Sequence, residues 1–224
     1  MKFIKYEKIK FTFIIFILFL IYIYLLATNY TYAITEDLSQ SVLRLHVIAN
    51  SDSIEDQNLK YKVRDNIINY MNSISKNIKS KDEALKLAKQ NQENINNIAK
   101  QTILDNGFNY DVNIEFGNFY FPTKSYGDIS FPAGNYDAIR IKIGSAKGQN
   151  WWCVMFPPLC FVDVSSGIVP DDSKDTIKNS LTSEEYSIIT NGNSDESDDN
   201  IIKFKFKLIE LLNNKDILTA DQNS

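Results

Sequence analysis

Asn150-Trp151-Trp152-Cys153-Val154-Met155-Phe156-Pro157-Pro158-Leu159-Cys160-Phe161-Val162-Asp163 holds both tryptophans, both cysteines and two of the five prolines of the chain. It has no Lys or Arg, and Asp163 is its only charge. A run this apolar, set between Gly144–Gly148 and Ser165-Ser166-Gly167, reads as buried strand rather than surface loop. Pro157-Pro158 cannot donate backbone hydrogen bonds, so the chain turns there. The stretch is expected to form a strand, a turn and a returning strand. A two-residue proline hairpin would leave Cys153 diagonal to Cys160, too far for an easy bridge. A four-residue loop, Met155 to Pro158, puts the two opposite each other, and proline cannot supply the positive φ of tighter hairpins. A Cys153–Cys160 disulfide is the expectation; the alternative is two buried thiols serving as small apolar side chains.

Working toward the N-terminus, Tyr136 to Ile143 and Tyr110 to Phe116 alternate and read as strands, joined by an aromatic-rich connection containing Phe121-Pro122 and Phe131-Pro132. Lys81 to Asp105 carries Ala84, Leu85, Ala88, Ile95, Ile98 and Leu104 at helical spacing, and Gly107 is a stop signal. Ser53 or Asp52 caps a helix whose stripe is Leu59, Val63, Ile67, Ile68 and Met71, ending near Ser75. Ser41 to Asn50 reads as a strand. Leu43, Leu45, Val47 and Ala49 share its core face. Arg44, His46, Ile48 and Asn50 share the other, expected to be partly exposed or satisfied by partners. Ile34 to Gln40 is a polar lead-in. The fold class is α+β: an antiparallel or mixed sheet of four to five strands packed by two long amphipathic helices.

Both ends of the chain differ from this body. Lys2, Lys5, Lys8 and Lys10 form a basic head before the uncharged apolar run Phe11–Ala27, and Thr31-Tyr32-Ala33 presents small residues to a signal peptidase. Residues 1–33 are thus a signal peptide or an N-terminal membrane anchor, with the body exported in either case. Residues 34–170 form the domain. Residues 171–200 read as an acidic flexible linker with one short helix at Ser183 to Ile189, and 201–224 as an amphipathic helix and tail. The net charge is −4, and −7 without the first 33 residues, which excludes nucleic acid as a natural partner.

His46 is the only histidine, and no cysteine pair has zinc spacing, so neither a metal nor a cofactor is expected. A hydrolase would need His46 as general base, Asp52 as its orienter and Ser51, Ser53 or Cys153 as nucleophile, without any Gly-rich turn to form an oxyanion hole. The three arginines, Arg44, Arg64 and Arg140, stand against 21 lysines. They mark places where a planar fork does what an ammonium cannot. Each could hold Asp52, Asp65 or Asp163 internally, a reading favoured for Arg140. Otherwise Arg44, His46, Asn50, Asp52, Gln57, Lys60 and Arg64 form one polar docking surface at the strand-to-helix junction. Trp151 and Trp152 point to opposite faces of their strand, and one of them is available for a partner.

Arg44-Leu-His-Val-Ile-Ala-Asn-Ser-Asp-Ser-Ile-Glu-Asp-Gln57, Lys60-Tyr-Lys-Val-Arg-Asp65 and Gly148-Gln-Asn-Trp-Trp-Cys-Val-Met-Phe-Pro-Pro-Leu-Cys160 together carry a likeness. The chain resembles stage II sporulation protein R of endospore-forming bacteria over roughly residues 41–165. Pro132-Ala-Gly134 and Tyr136-Asp-Ala-Ile-Arg140 fit as well, and Ser183-Glu-Glu-Tyr186 more weakly. The resemblance implies a non-catalytic signalling protein, exported into the space between forespore and mother-cell membranes. There it would activate a membrane-embedded aspartic protease, which removes the pro-sequence of the mother-cell sigma factor E. A passive structural protein of the septal space is a third reading.

Overall fold

The computed structural model describes residues 2–160, 169 and 171–190. A 40-residue helix, α1 (Lys2–Ser41), leads into β1 (Leu43–Ile48) with one residue between them. Then come α2 (Ile54–Ile74), α3 (Lys81–Gln90), α4 (Gln92–Asp105), β2 (Val112–Phe121), β3 (Lys124–Tyr126), β4 (Ile129–Phe131), β5 (Gly134–Ile143), β6 (Asn150–Phe156), α5 (Asp171–Ser180) and α6 (Ser183–Thr190). The α+β class is therefore observed, with a mixed sheet. Its four strands run in the order β2-β5-β1-β6, and β3 and β4 form a separate two-stranded ribbon. β1 is parallel to β5 and antiparallel to β6; β2 is antiparallel to β5.

One face of the sheet is covered by α2, α3 and α4. α2 buries Leu59, Val63, Ile67, Ile68 and Met71 along a single stripe, each side chain contributing about 1.5–3 kcal/mol. The run expected as one helix from Lys81 to Asp105 is broken at Asn91. That side chain accepts from the Tyr70 hydroxyl at 2.7 Å and donates to the Leu87 carbonyl at 2.9 Å. Asparagine competes for backbone partners in this way, which favours an interruption over a continuous helix.

The other face of the sheet is where expectation and structure differ most. Every residue of β1 is buried, including Arg44 and His46, which the alternation placed on a partly exposed face. The reason is the long connection after β2. β2 runs on to Phe121, and the β3–β4 ribbon folds back over the sheet with Tyr126, Ile129 and Phe131 buried beneath it. α6 packs on β4 and on α1. Ile34 to Gln40 is helix rather than lead-in, since Leu38 and Val42 belong to the core. The short helix expected at Ser183 to Ile189 is α6, but the linker expected before it holds a second helix, α5, and Ile177, Leu181 and Ile189 are buried.

Cys153 and Cys160 are bridged, their Cα atoms 5.3 Å apart. Leu159 N–H donates to the Val154 carbonyl at 3.0 Å, closing the four-residue loop that the bridge requires. The returning strand expected after Cys160, and the helix expected from Ile201, lie outside the described residues. Among the described residues, no helix is long and apolar enough to cross a membrane. The large apolar side chains of α1 from Phe11 to Leu26 are nevertheless all exposed.

β5 and β6 are consecutive yet not adjacent, because β1 lies between them. Their connection must cross the end of β1, and it does so in contact with it. Lys147 N–H donates to the Asn50 carbonyl and Gly148 N–H to that of Ala49, at 3.1 and 3.0 Å. A Cβ on Gly148 would meet the Ser51 carbonyl oxygen and carbon, so only glycine fits the crossing. Gly148→Ala is expected to lower stability by about 2–4 kcal/mol, as backbone must shift to relieve the overlap. A urea midpoint unchanged from the parent would show that the crossing is not close-packed.

Candidate functional site

The junction after β1 is built around Asn50 and Asp56. The Asn50 side chain donates to Asp56 Oδ2 at 2.8 Å and accepts from Ser145 N–H at 2.9 Å. Ser51 Oγ donates to the same Asp56 oxygen at 2.5 Å. Ser53 caps α2 by accepting from Asp56 N–H at 3.2 Å. Burial pushes the Asp56 carboxyl up, but hydrogen bonds from Ser51, Asn50 and Tyr110 outweigh this and hold it below the usual range. Asp52 accepts from Gln149 N–H at 2.7 Å. The motif's small polar residues thus tie the start of α2 to the crossing loop. Ser51 and Ser53 are committed to this network, not presented to His46.

Beside the junction lies a surface that joins two segments about ninety residues apart. Lys60 Nζ donates to Gln57 Oε1 at 2.6 Å and to the Gln149 carbonyl at 2.9 Å. Lys60 is only 1 % exposed. Burial, reinforced by Arg64, pulls its pKa down to about 8, against the opposing pull of Asp52. One turn on, the Arg64 guanidinium lies 4.1 Å from the centre of the Trp151 ring and 5.0 Å from that of Tyr61. Tyr61 and Trp151 meet edge-to-face at 5.5 Å. Asp65 pairs with Arg64 at 2.7 Å, but at the surface rather than inside the domain, since the Asp65 side chain is 54 % exposed. Gln57, Tyr61, Arg64 and Trp151 are all half-buried, and Asp52 is exposed. Tyr61 was not singled out from the sequence, although its place three residues before Arg64 puts it on the same helix face.

Arg44, His46 and Trp152 belong to the opposite side of the sheet. Arg44 is 0 % exposed and His46 is 4 % exposed, so neither reaches a docking surface as expected. Arg44 sits 4.3, 4.8 and 5.8 Å from the ring centres of Phe121, Tyr136 and Phe131. Among the described residues its one hydrogen bond goes to the Tyr126 hydroxyl at 3.2 Å, which in turn donates to the Trp152 carbonyl at 3.1 Å. Cation–π contacts of this kind contribute about 1–2 kcal/mol each when desolvated. Arg140 pairs with Glu115 at 3.6 Å and stacks 3.7 Å from the Phe119 ring centre, in the structural role favoured for it.

His46 stacks on Trp152 at 3.5 Å, and its Nε2 faces Asn150 Oδ1 at 2.6 Å. That partner places the ring proton on Nε2 and leaves Nδ1 as a buried lone pair. Burial lowers the His46 pKa to about 3; Asn150 opposes this, and the charges of Arg140, Lys142 and Arg44 add to it. Cys153, the remaining candidate nucleophile, is held in the disulfide. Among the described residues, no group of three or more His, Cys, Asp or Glu is placed to hold a metal ion.

The described residues therefore make an α+β domain whose two motif segments meet in a cation–aromatic surface beside a closed polar junction. The chain belongs to the stage II sporulation protein R family, which it matches over residues 39–166. That span runs from the end of α1 through β6 and includes both segments. The stage II sporulation protein R of Bacillus subtilis (strain 168) is 42 % identical over 133 residues. The chain spans 59 % of the length of that relative, using 59 % of its own. No solved structure matches the chain.

The neutral, buried His46 makes a pH prediction. The unfolded imidazole takes a proton near its ordinary value of 6.5, and the folded one only near 3. The His46 contribution is therefore level above about pH 6.5 and falls as pH drops from there, by at most ~1.4 kcal/mol per unit, while the depressed pKa of Lys60 acts only above about pH 8. Asp56 and Asp137, both held below the usual carboxylate range, add their loss only at lower pH. Urea midpoints between pH 6.5 and 5 should fall in the parent and stay nearly level in His46→Gln. Equal slopes would place the acid sensitivity elsewhere.

Proposed function

We propose that this chain is an exported signalling protein of sporulation. It acts by contact, switching on a membrane-embedded aspartic protease that processes the pro form of the mother-cell sigma factor E. The observation that carries this reading is the family match over residues 39–166, which includes both segments of the Tyr61–Arg64–Trp151 surface. Trp, Tyr and Arg are the side chains most often found at energetic centres of protein interfaces. Gln57 and Asp52 border that surface. The basic head and exposed apolar side chains of α1 support export, with residues 1–33 acting as a signal or as an anchor that keeps the domain at the membrane. The site of action is then the space between the forespore and mother-cell membranes. The hydrolase alternative is weakened by the low basicity of His46, by the bonded Cys153 and by the engagement of Ser51 and Ser53.

Co-production of the chain with the protease and its pro-sigma substrate, in cells lacking other sporulation proteins, should give processing visible on an immunoblot. Arg64→Ala and Trp151→Ala should each reduce it at least tenfold while the purified variants keep a cooperative melt. Parental processing by both would move the contact surface elsewhere on the domain. No processing with the parent chain would reject the activator reading.

A further inference from the structure

Arg44 is the one fully buried guanidinium among the described residues, and it has no carboxylate partner there. Its Nε and one terminal nitrogen have no hydrogen-bond acceptor. Arginine cannot shed its proton to escape this, as a buried lysine can. Three aromatic rings box the group without satisfying its donors. A planar fork with two vacant N–H directions is complementary to a carboxylate.

The cover over this group is the short β3–β4 ribbon, backed by α6. Tyr126 and Phe131 come from the β3–β4 ribbon, three residue pairs long and flanked by Pro122 and Pro132. Ribbons this short have little stability of their own. Besides apolar packing, its ties include Tyr126 to the Trp152 carbonyl, Arg44 to the Tyr126 hydroxyl, and Asp128 at its tip, which pairs with Lys174 at 2.5 Å and accepts from Val169 N–H at 3.4 Å. We propose that this ribbon lifts and that Arg44 then receives a carboxylate carried by an acidic segment of the protein's partner. The proposal relies on the activator reading for the identity of the partner, but not for the existence of the site.

Phenylglyoxal labelling of the folded full chain, read by peptide mass spectrometry, reports each of the three arginines separately. Arg44 should label more slowly than Arg64. Tyr126→Phe, which removes the ribbon's tie, should speed Arg44 labelling at least threefold. A glutamate-rich decapeptide should slow it at least threefold without changing Arg64. Arg44 left unlabelled in both chains, or no protection by the peptide, would overturn the proposal. Faster Arg44 labelling in Asp163→Asn would also overturn it, because the chain's own carboxylate would then be the occupant. Arg44→Met keeps the length and apolar stem of the side chain; the lost ring contacts are offset by removal of a buried charge with unpaired donors, so it should melt within about 5 °C of the parent, yet lose processing at least tenfold. A melting point lowered by more than about 5 °C, or full processing, would make the guanidinium a core element only. If the parent gives no processing while the labelling behaves as described, the activator reading fails and the carboxylate site stands.

Discussion

The complete burial of β1 constrains everything built around it. A strand paired on both edges and covered on both faces leaves its polar side chains no route to water. Arg44 and His46 must therefore be accommodated internally, and burying either one in charged form without a partner is costly. The two residues meet the constraint differently. The imidazole gives up its proton, stacks on Trp152 and shares its remaining one with Asn150. The guanidinium cannot do this and is surrounded with ring faces instead.

The same strand sets the topology. With β1 inserted between β5 and β6, the segment joining those strands has to pass across its end. Asn50 meets that segment with its backbone carbonyl and its side-chain oxygen, while its side-chain nitrogen donates to Asp56. The helix that follows is capped by Ser53 and fastened through Asp56 to the same knot. One short polar run thus fixes the strand end, the helix start and the crossing loop together. That rigidity holds α2 against the start of β6 and places Arg64 over Trp151. The contact surface and the junction are consequently separate things: the polar residues of the motif make the scaffold, while the larger side chains beyond them face outward.

Much of this was legible from residues alone. Alternation located β1, β2 and β5, and the uncharged apolar run located β6. The 3.6-residue stripe and the Ser53 cap located α2. The spacing of the cysteines about Pro157-Pro158 gave the loop that the bridge needs. Asn91, by contrast, looked like one more polar residue on a solvated face, because nothing local announces that it will bond Tyr70 and break the helix. The acidic composition after Asp171 likewise concealed Ile177, Leu181 and Ile189, three apolar residues too widely spaced to mark a buried face by themselves.

The sequence by itself determined most of the elements, the α+β class and the family, since these follow from local periodicity and from motif residues in order. What lies against the second face of β1 was decided only by tertiary structure. Alternation gives the side on which a side chain stands, but not whether that side meets water. The β3–β4 ribbon, more than seventy residues further along the chain, folds over it and turns an apparent docking face into an interior. Arg64 and Trp151 came together by the same kind of long-range event, the crossing of the end of β1, which no local pattern encodes.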